Sequence, residues 1–241
     1  MSIMLPGYLV RALDLLGFEW PDIDEDQLRE AAGHLRTYAR NGAASVAATD
    51  RKLTIDIAQV CTAASYQVVV EKWASQTKGH METLLEACEL MAGALELLAD
   101  AVVVMKGAVI VQLGIALDEF IAAQALAIET LGLSEAALGA GLAVQNRIIA
   151  GIISTFEAEV MSQIFGHIIE PLRARVRGAA RALMYPVALH LAGVAPTTTL
   201  DVDTDAVRRH LAAMNVEGEA RDAAGEQMQR NLRRLTYTGG S

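Results

Sequence analysis

Apolar residues in this chain recur in alternating steps of three and four, the spacing that places side chains on one face of an α-helix. The clearest run, which we call the first seam, consists of Met81, Leu84, Cys88, Met91, Leu95, Leu98, Val102, Met105 and Val109. Nine consecutive matches predict a long helix from about Gly79 to Leu131 with at least one packed face. A weaker run with the same steps lies between Leu28 and Leu53 and predicts another long helix, which runs to about Val70.

Capping and helix-breaking residues mark the limits of these helices. Asp24 precedes the first long helix, and Gln27 stands three residues later, as in a capping box. Gly132 ends the second long helix, and Ser134 begins a third. Pro171 then ends or kinks the third helix, because proline lacks the amide hydrogen that the helical hydrogen-bond pattern needs.

These elements predict an all-α fold: an elongated helical bundle built on a long antiparallel hairpin, with additional helices towards the C-terminus. The hairpin covers residues 24–131 and the third long helix about 134–170, both within a helical domain of residues 1–191. Residues 192–200 are the predicted linker. Residues 201–241 are predicted to form a short C-terminal helix, which begins near Asp203 or Thr204 and runs to about Leu235, followed by a disordered tail, residues 236–241.

The composition supports long helices rather than sheets. Hydrophobic residues make up 53% of the chain, whereas aromatic residues reach 5% and there are 5 prolines. The net charge is −9, to which residues 1–100 contribute −7, residues 101–170 contribute −5 and residues 171–241 contribute +3. An acidic surface repels phosphate backbones, so we expect no nucleic-acid partner.

The apolar middle of the chain is too short to predict a membrane span. Its longest charge-free run, residues 107–117, has 11 residues, whereas a spanning helix needs roughly 20. A secretory signal peptide is not predicted either, because residues 1–7 lack basic side chains and Arg11 and Asp14 interrupt the apolar stretch that follows. We therefore expect a helix that other helices bury on most sides.

A short polar segment separates the two long helical patterns. Within it, Trp73 is followed by Ala74 and Ser75, which predicts a helix–helix turn with the tryptophan closing one end of the bundle. Here the chain resembles the WXG100-like N-terminal domains of actinobacterial proteins exported by the type VII (ESX) secretion system. The hallmark of those domains is Trp-x-Gly in the turn of a helical hairpin, and Ser75 stands in the place of the glycine.

The start of the chain carries the same resemblance. Residues 3–16 form a predicted amphipathic helix, and Trp20-Pro21 follows with an acidic run, residues 22–26, that opens the first long helix. This order is similar to the N-terminal domain of polymorphic toxins of the mycobacterial channel-and-toxin kind, and the resemblance covers roughly residues 1–190. The Tyr-x-x-x-Asp/Glu export signal of such systems is missing, since no tyrosine has an acid four residues later.

The resemblance implies a non-catalytic module that binds small WXG100-type helical proteins and the type VII secretion machinery. Such a chain would be cytoplasmic before export and secreted or held at the cell envelope afterwards, without a cleavable signal peptide, and a partner would supply the export signal. The family delivers toxins, but residues 192–241 are too few to form one, so we expect a fragment of a longer protein or a toxin-free adaptor, chaperone or structural component. The predicted partner-facing residues belong to the first seam: Met81, Leu84, Met91, Leu95, Leu98, Val102 and Met105.

Cys61 and Cys88 lie at similar distances before and after the predicted turn. Two antiparallel helices leaving that turn would bring both cysteines to the same height, which allows a disulfide if their Cα atoms come within about 7 Å. The alternative is a pair of buried free thiols, which helix packing commonly accommodates.

The sequence contains no pattern that predicts catalysis, a cofactor or a metal site. The five histidines never fall at metal-ligand spacing, and none pairs with a nearby cysteine. Asp201, Asp203 and Asp205 alternate as at the start of a calcium loop, but Ala206 and Ala212 stand where that loop needs glycine and glutamate. We therefore expect a protein that is not an enzyme, with Asp203 or Thr204 acting as a helix cap.

Two other functions stay open. The first is a membrane-active, channel-forming protein: glycines such as Gly107 would allow close helix packing in lipid, although the charge of Lys106 opposes it. The second is a scaffold that forms homo-oligomers.

Arg173, Arg177 and Arg181 share one helical face, which is either solvated or in contact with an acidic partner or lipid headgroups.

Overall fold

The computed structural model describes Ile3, Leu5, Val10, Leu13 and Trp20 individually, together with residues 22–61, 64–130, 134–184 and 203–238. The described residues contain long helices and no β-strand, so the predicted all-α class is confirmed. The chain divides into two compact units. Unit 1 contains Met1–Glu30, Ala94–His167 and Thr236–Ser241, and unit 2 contains Ala31–Gly93 and Ile168–Leu235.

Helix α1, Glu25–Arg51, starts where the sequence predicts. The Asp24 carboxylate accepts hydrogen bonds from the amides of Asp26 and Gln27, at 3.0 and 3.1 Å. These bonds satisfy two of the N–H groups that the first turn of a helix leaves unpaired. The Gln27 side chain donates to the other Asp24 oxygen at 3.1 Å, so it binds the carboxylate rather than the backbone that a capping box would use.

The chain reverses direction soon after α1. Lys52–Asp56 is π-helical, and residues 57–60 form a turn. Helix α2, Ala64–Lys72, then continues through a π-helical stretch, Trp73–Lys78, into helix α3, Gly79–Thr130. The reversal therefore lies between α1 and α2.

The predicted hairpin turn at Trp73, Ala74 and Ser75 is wrong. The residues on either side of the π-helical stretch have right-handed helical backbone angles, so the helix is continuous there. The Ser75 hydroxyl donates to the carbonyl of Glu71 at 2.7 Å, four residues earlier in the same helix. Small and polar residues after a tryptophan suit a helix as well as a turn, and here their hydrogen bonds are made within the helix.

Helices α1 and α3 run antiparallel in each unit, as the predicted hairpin requires. In both units, residue numbers rise along α1 while those of the contacting residues fall along α3. The ion pairs that show this are Glu25–Lys106 and Arg29–Asp100 in unit 1, and Arg36–Glu89 and Asp50–Lys78 in unit 2. In unit 2 the helices approach closely, because a Cβ added at Gly42 would overlap the side chain of Leu85.

Helix α4, Ser134–Glu159, begins at the predicted serine. It continues through a π-helical stretch, Val160–Ile169, into helix α5, Glu170–Met184. Pro171 therefore does not end the helix. It occupies the second position of α5, and the departure from regular α-helical hydrogen bonding falls in the π-helical turns before it.

Helix α6, Thr204–Arg234, is capped by Asp203, whose carboxylate accepts the amides of Asp205 and Ala206 at 3.1 and 2.9 Å. Of the two predicted caps, Asp203 and Thr204, the structure has Asp203. The helix ends at Arg234, so its predicted end near Leu235 is confirmed, although its 31 residues make it a long helix rather than the short one predicted. Its length allows one face to run along much of another long helix.

The prediction of a disordered tail is wrong for its first residues. The amides of Thr236 and Tyr237 both donate to Gln27 Oε1, at 2.7 and 2.9 Å. The Asp24 amide donates to the carbonyl of Tyr237 at 3.0 Å. The predicted linker 192–200, residues 239–241, Gly132 and most of the predicted helix 3–16 lie outside the described residues.

Candidate partner-binding surface

The first seam packs against the chain's own helices in unit 1. Val102 and Met105 are 0% and 4% exposed, and they form one cluster with Leu28 of α1. Leu95 and Leu98 pack against this cluster and are partly buried. A side chain that is already buried has no apolar area left for a partner to cover. The predicted partner-facing role is therefore wrong for Val102 and Met105.

The other residues of the first seam that we predicted to face a partner lie in unit 2. Met81, Leu84 and Met91 are half-buried there. Part of each side chain is still accessible, so a partner contact at these three positions stays a prediction.

Cys61 and Cys88 are both free, half-buried thiols, so of the two alternatives the structure has the free thiols and not the disulfide. The prediction placed them level with each other because it placed the reversal at Trp73. The reversal lies instead beside Cys61, and Cys88 lies close to Tyr38 of α1. Burial raises the pKa of the Cys88 thiol, and the neighbouring Glu89 carboxylate raises it further.

Trp73 anchors α3 to α1 in unit 2. Its indole Nε1 donates to Asp50 Oδ1 at 2.9 Å, and Lys78 Nζ donates to Asp50 Oδ2 at 3.0 Å. The ring packs against an apolar cluster that includes Tyr66. Burial alone would raise the pKa of Asp50, but the hydrogen bonds from Lys78 and Trp73 outweigh it, so this pKa is lowered. The tryptophan thus joins the two arms of the hairpin without forming its turn.

A second seam on α3 faces solvent. It also follows steps of four and three, and it consists of Leu97, Ala101, Val104, Ala108, Val111 and Ile115. Leu97, Val104 and Val111 are 56%, 72% and 61% exposed. Large aliphatic side chains alternate here with alanines, which lets another helix pack closely against α3. The sequence contains this seam, but the prediction assigned the helical periodicity to the first seam alone.

An apolar groove runs beside the second seam, between α3 and α4 in unit 1. Its volume is about 570 Å³. The residues that line it include Ala101, Val104 and Ala108 of α3 and Ile148, Gly151 and Phe156 of α4. The small residues leave room for the large side chains of an approaching helix.

The surroundings of the groove are acidic. Glu159 lines it, and Glu157, Asp118 and Glu119 are exposed on the same two helices. Among the side chains described in residues 107–159, the one basic group is that of Arg147. The local field therefore favours a basic partner over an acidic one.

A buried ion pair fixes α3 to the start of α1 in unit 1. The side chains of Lys106 and Glu25 are both 0% exposed, and their charged groups are 2.8 Å apart. The ammonium also donates to the carbonyls of Ile3 and Ile23, at 3.1 and 2.6 Å, which uses all three of its hydrogens. Burial alone would raise the pKa of Glu25, but hydrogen bonds from Lys106 and from backbone amides, with the attraction of the ammonium, outweigh it and lower this pKa.

Trp20 lies at the same ion pair. Lys106 Nζ is 5.8 Å from the centroid of its ring, within the range of a cation–π contact. The ring also packs against an apolar cluster that includes Leu13. Pro21, the other residue of the predicted N-terminal motif, lies outside the described residues. Sequence reasoning missed the ion pair, although a lone lysine in an apolar helix signals a need for a buried partner.

One helix among the described residues, Ala143–Ala179, is long and apolar enough to cross a membrane, by length and composition only. Its most apolar window is 11% buried. The length of charge-free runs does not predict this helix, because charged residues such as Arg147 and Glu157 interrupt it. A single helix of this kind is weak evidence for a membrane protein.

Comparison with known proteins gives a family. The family model described as "WXG100 like domain" matches residues 7–155, a range that contains α1, α2, α3 and most of α4. No curated protein and no solved structure gives a significant match. WXG100-like domains generally take part in type VII secretion and in protein–protein association. The chain belongs to the WXG100-like domain family.

Proposed function

We propose that this chain is a type VII secretion-associated module that binds a small helical WXG100-type protein through the second seam and the adjoining groove. The second seam carries the proposal, because Leu97, Val104 and Val111 are exposed at seven-residue spacing on a helix that is packed on another face. Exposed apolar rows mark interaction surfaces, and seven residues is the repeat of helix-to-helix packing.

A partner helix on this surface would bury apolar area that now faces water. Full burial of a valine or leucine side chain contributes about 1.5–3 kcal/mol. Association itself costs roughly 4–15 kcal/mol in lost freedom of motion, so three seam side chains alone do not suffice for tight binding. The groove supplies further area, since side chains of the partner can enter it beside Ala108 and Gly151.

The charges around the groove narrow the class of partner helix. Exposed carboxylates, among them Glu157 and Glu159, lie near the groove and outnumber basic side chains there. We therefore expect a partner helix with an apolar seam flanked by lysine or arginine. Its association rate should fall as salt concentration rises, because salt screens charges at the rim of an interface.

The remaining parts of the proposal follow from the family. The chain would leave the cytoplasm together with its partner, and the partner would carry the Tyr-x-x-x-Asp/Glu export signal that residues 1–241 do not contain. It would serve delivery of a toxin or act as an adaptor in an actinobacterial ESX system. We propose a non-catalytic role, since the described residues that line the groove are apolar apart from Thr155 and Glu159.

Co-expression with a small WXG100-type protein encoded beside this chain tests the proposal. We expect a stable mixed complex, with its mass measured by light scattering. Val104→Glu adds a charge at the most exposed position of the second seam, and it should weaken the complex about 100-fold. Val216→Glu is the matched control, because Val216 is 64% exposed but lies on α6, in unit 2.

Two results would contradict this function. Equal weakening by both substitutions would show that the second seam is not the partner surface. A chain that forms homo-oligomers of fixed mass, and binds none of the neighbouring WXG100-type proteins, would favour a self-associating scaffold.

Membrane activity is a second candidate function, which the exposure of helix Ala143–Ala179 favours. Arg147 opposes it, because a charged side chain is costly in hydrocarbon. A liposome leakage assay with the purified chain separates the two functions. Leakage at neutral pH would favour insertion, whereas intact liposomes together with partner binding would favour the secretion module.

A further inference from the structure

In unit 2, helix α6 packs on α1 and on the π-helical stretch and turn that follow α1, along a row of half-buried residues. They recur in steps of three and four and consist of Val207, His210, Met214, Glu217, Arg221, Ala224, Met228 and Asn231. Half of these side chains are polar or charged. Among the side chains described in residues 203–238, that of Ala206 is the one buried. The contact therefore has the geometry of paired helices. Its apolar part lies at the start of α6, where Val207 and Met214 pack against the cluster that contains Leu53 and Tyr66, and little apolar area is buried along the rest of the helix.

The contact between α1 and α6 is also hollow. A groove of about 470 Å³ lies between the two helices. Small residues line it, with Ala44 and Ala48 on α1 and Ala220 and Ala224 on α6. Unfilled space removes the packing contacts that would otherwise hold two helices together.

Polar contacts set the register of this pair. Arg221 Nε donates to Ser45 Oγ at 3.1 Å, and Arg221 Nη2 donates to Thr49 Oγ1 at 3.3 Å. The side chains of Asn231 and His34 are 3.3 Å apart. Such contacts determine which residues lie opposite each other, but they stabilise the pair less than apolar burial does, because water replaces them when the helices separate.

The end of the same segment is held in unit 1. Tyr237 has a φ of 60°, in the left-handed region that disfavours residues with a Cβ. Its amide and carbonyl are bound to Gln27 and Asp24, and its ring packs against the cluster that contains Leu28. These contacts hold a strained residue, and separation from α1 would release the strain.

We propose that residues 203–238, the C-terminal arm, are exchangeable between two copies of this chain. The whole arm separates from α1 in one step, and the α1 face that it leaves then binds the arm of a second copy. The occupant follows from the fit of α6 to α1, since the arm supplies Arg221 to the α1 hydroxyls and small residues to the facing alanines of α1. Exchange of an identical segment forms a two-fold dimer without any new type of contact.

This inference goes beyond the proposed function and does not depend on it. The proposed partner lies on the second seam of α3, whereas the arm lies on α1. A chain that binds no WXG100-type protein would still exchange its arm, and loss of arm exchange would leave the second seam exposed.

Hydrogen exchange of the full chain measures the opening of the arm. We expect the amides of residues 206–234 to exchange together, and about 100-fold faster than the amides of residues 98–109 in α3, because an element with little buried area opens without global unfolding. Equal protection of the two segments would overturn the proposal. Exchange that proceeds residue by residue from one end would also overturn it, because the arm would then fray rather than separate.

A labelled synthetic peptide with the sequence of residues 203–238 tests which helix the exposed α1 face accepts. The peptide is added to the full chain, and binding is followed by fluorescence anisotropy. Arg221→Ala in the chain weakens the resident arm but leaves the peptide intact, so peptide binding should tighten about 10-fold. Ala224→Leu in the chain fills the hollow and should weaken peptide binding about 10-fold, whereas Ala223→Leu, on the exposed face of the same helix, should leave it unchanged.

Exchange of the arm between two full chains is tested by mixing chains of different mass and recording native mass spectra. A mixed dimer that becomes rarer with Ala224→Leu supports the exchange. No binding of the peptide to the Arg221→Ala chain would overturn it. Peptide binding without any dimer of the full chain would also overturn it, and would indicate that the α1 face takes a helix from another protein.

Discussion

Helix α3 carries two rows of apolar residues with the same spacing, and the part of the chain that the structure describes covers one of them and leaves the other exposed. Val102 in the first seam is 0% exposed, whereas Val104 in the second seam is 72% exposed. Both are valines on one helix, so their intrinsic helix propensity is the same. Val102 clusters with Leu28 of α1, and Val104 mostly faces solvent. Periodicity thus identifies apolar faces of a helix, but it does not say whether the same chain or another covers them.

An acid placed at each of these two valines should give the largest difference. Val102→Asp puts a carboxylate into the core of unit 1 without a partner, and it should cost about 5 kcal/mol or more, as much as the whole stability of many domains. Val104→Asp stays in water and should change the stability by less than about 0.5 kcal/mol. Urea denaturation of both variants measures the contrast. Similar losses would mean that α3 is covered on both faces.

The buried side of α3 also depends on one charge. Lys106→Ala leaves the Glu25 carboxylate buried without its counter-ion, and it should lower the free energy of unfolding by about 3–5 kcal/mol. The double variant Lys106→Met with Glu25→Gln removes both charges. The double variant should lower the free energy of unfolding by less than Lys106→Ala does, although the carbonyls of Ile3 and Ile23 still lose their hydrogen-bond donor. Equal losses in the two variants would show that the ion pair itself matters little.

Features set by neighbouring residues were predictable from the sequence. Asp24 and Asp203 each cap a helix through amides no more than three residues away, and the periodicity of α3 is a property of one segment. The place of the reversal was not predictable in the same way. The residues after Trp73 are small and polar, and such residues are compatible with a turn until their hydrogen bonds are known.

Features that join distant segments could not be read from local patterns. Lys106 and Glu25 are 81 residues apart in the sequence, and Gln27 and Thr236 are 209 residues apart. A buried lysine needs a counter-ion somewhere in the fold, but no rule of spacing names that counter-ion. For the same reason, the docking of α6 on α1 was missed, although the Asp203 cap of α6 was found.

Low pH should lower the free energy of unfolding by a smaller amount than the substitutions at Val102 and Lys106, because it weakens the contacts that Glu25 and Asp50 make between the two arms of the hairpin. The pKa values of Glu25 and Asp50 are lowered in the folded chain. Their contributions to stability are therefore complete above the ordinary values, 4.5 and 3.8, and are lost as pH falls through the lowered values. Glu25→Gln and Asp50→Asn should each flatten the acid limb of a plot of unfolding free energy against pH. An acid limb that is identical in the wild-type chain and both variants would contradict this assignment.

The smallest effect on stability should come from alanine at the large positions of the second seam. Leu97→Ala, Val104→Ala and Val111→Ala each remove a side chain that is mostly exposed, so each should change the free energy of unfolding by less than about 0.5 kcal/mol. The better helix propensity of alanine partly offsets the lost contacts. Met105→Ala in the first seam is the control and should cost about 2–5 kcal/mol.

Combined in one triple variant, the same three substitutions should nevertheless abolish binding of the helical partner, because they remove the apolar area that the partner would bury. Stability and partner affinity would then respond to two different faces of one helix. If the triple variant instead lost as much stability as Met105→Ala, the second seam would be covered in solution without any partner. It would then belong to the chain's own core or to an assembly of identical chains, and a partner would have to bind elsewhere.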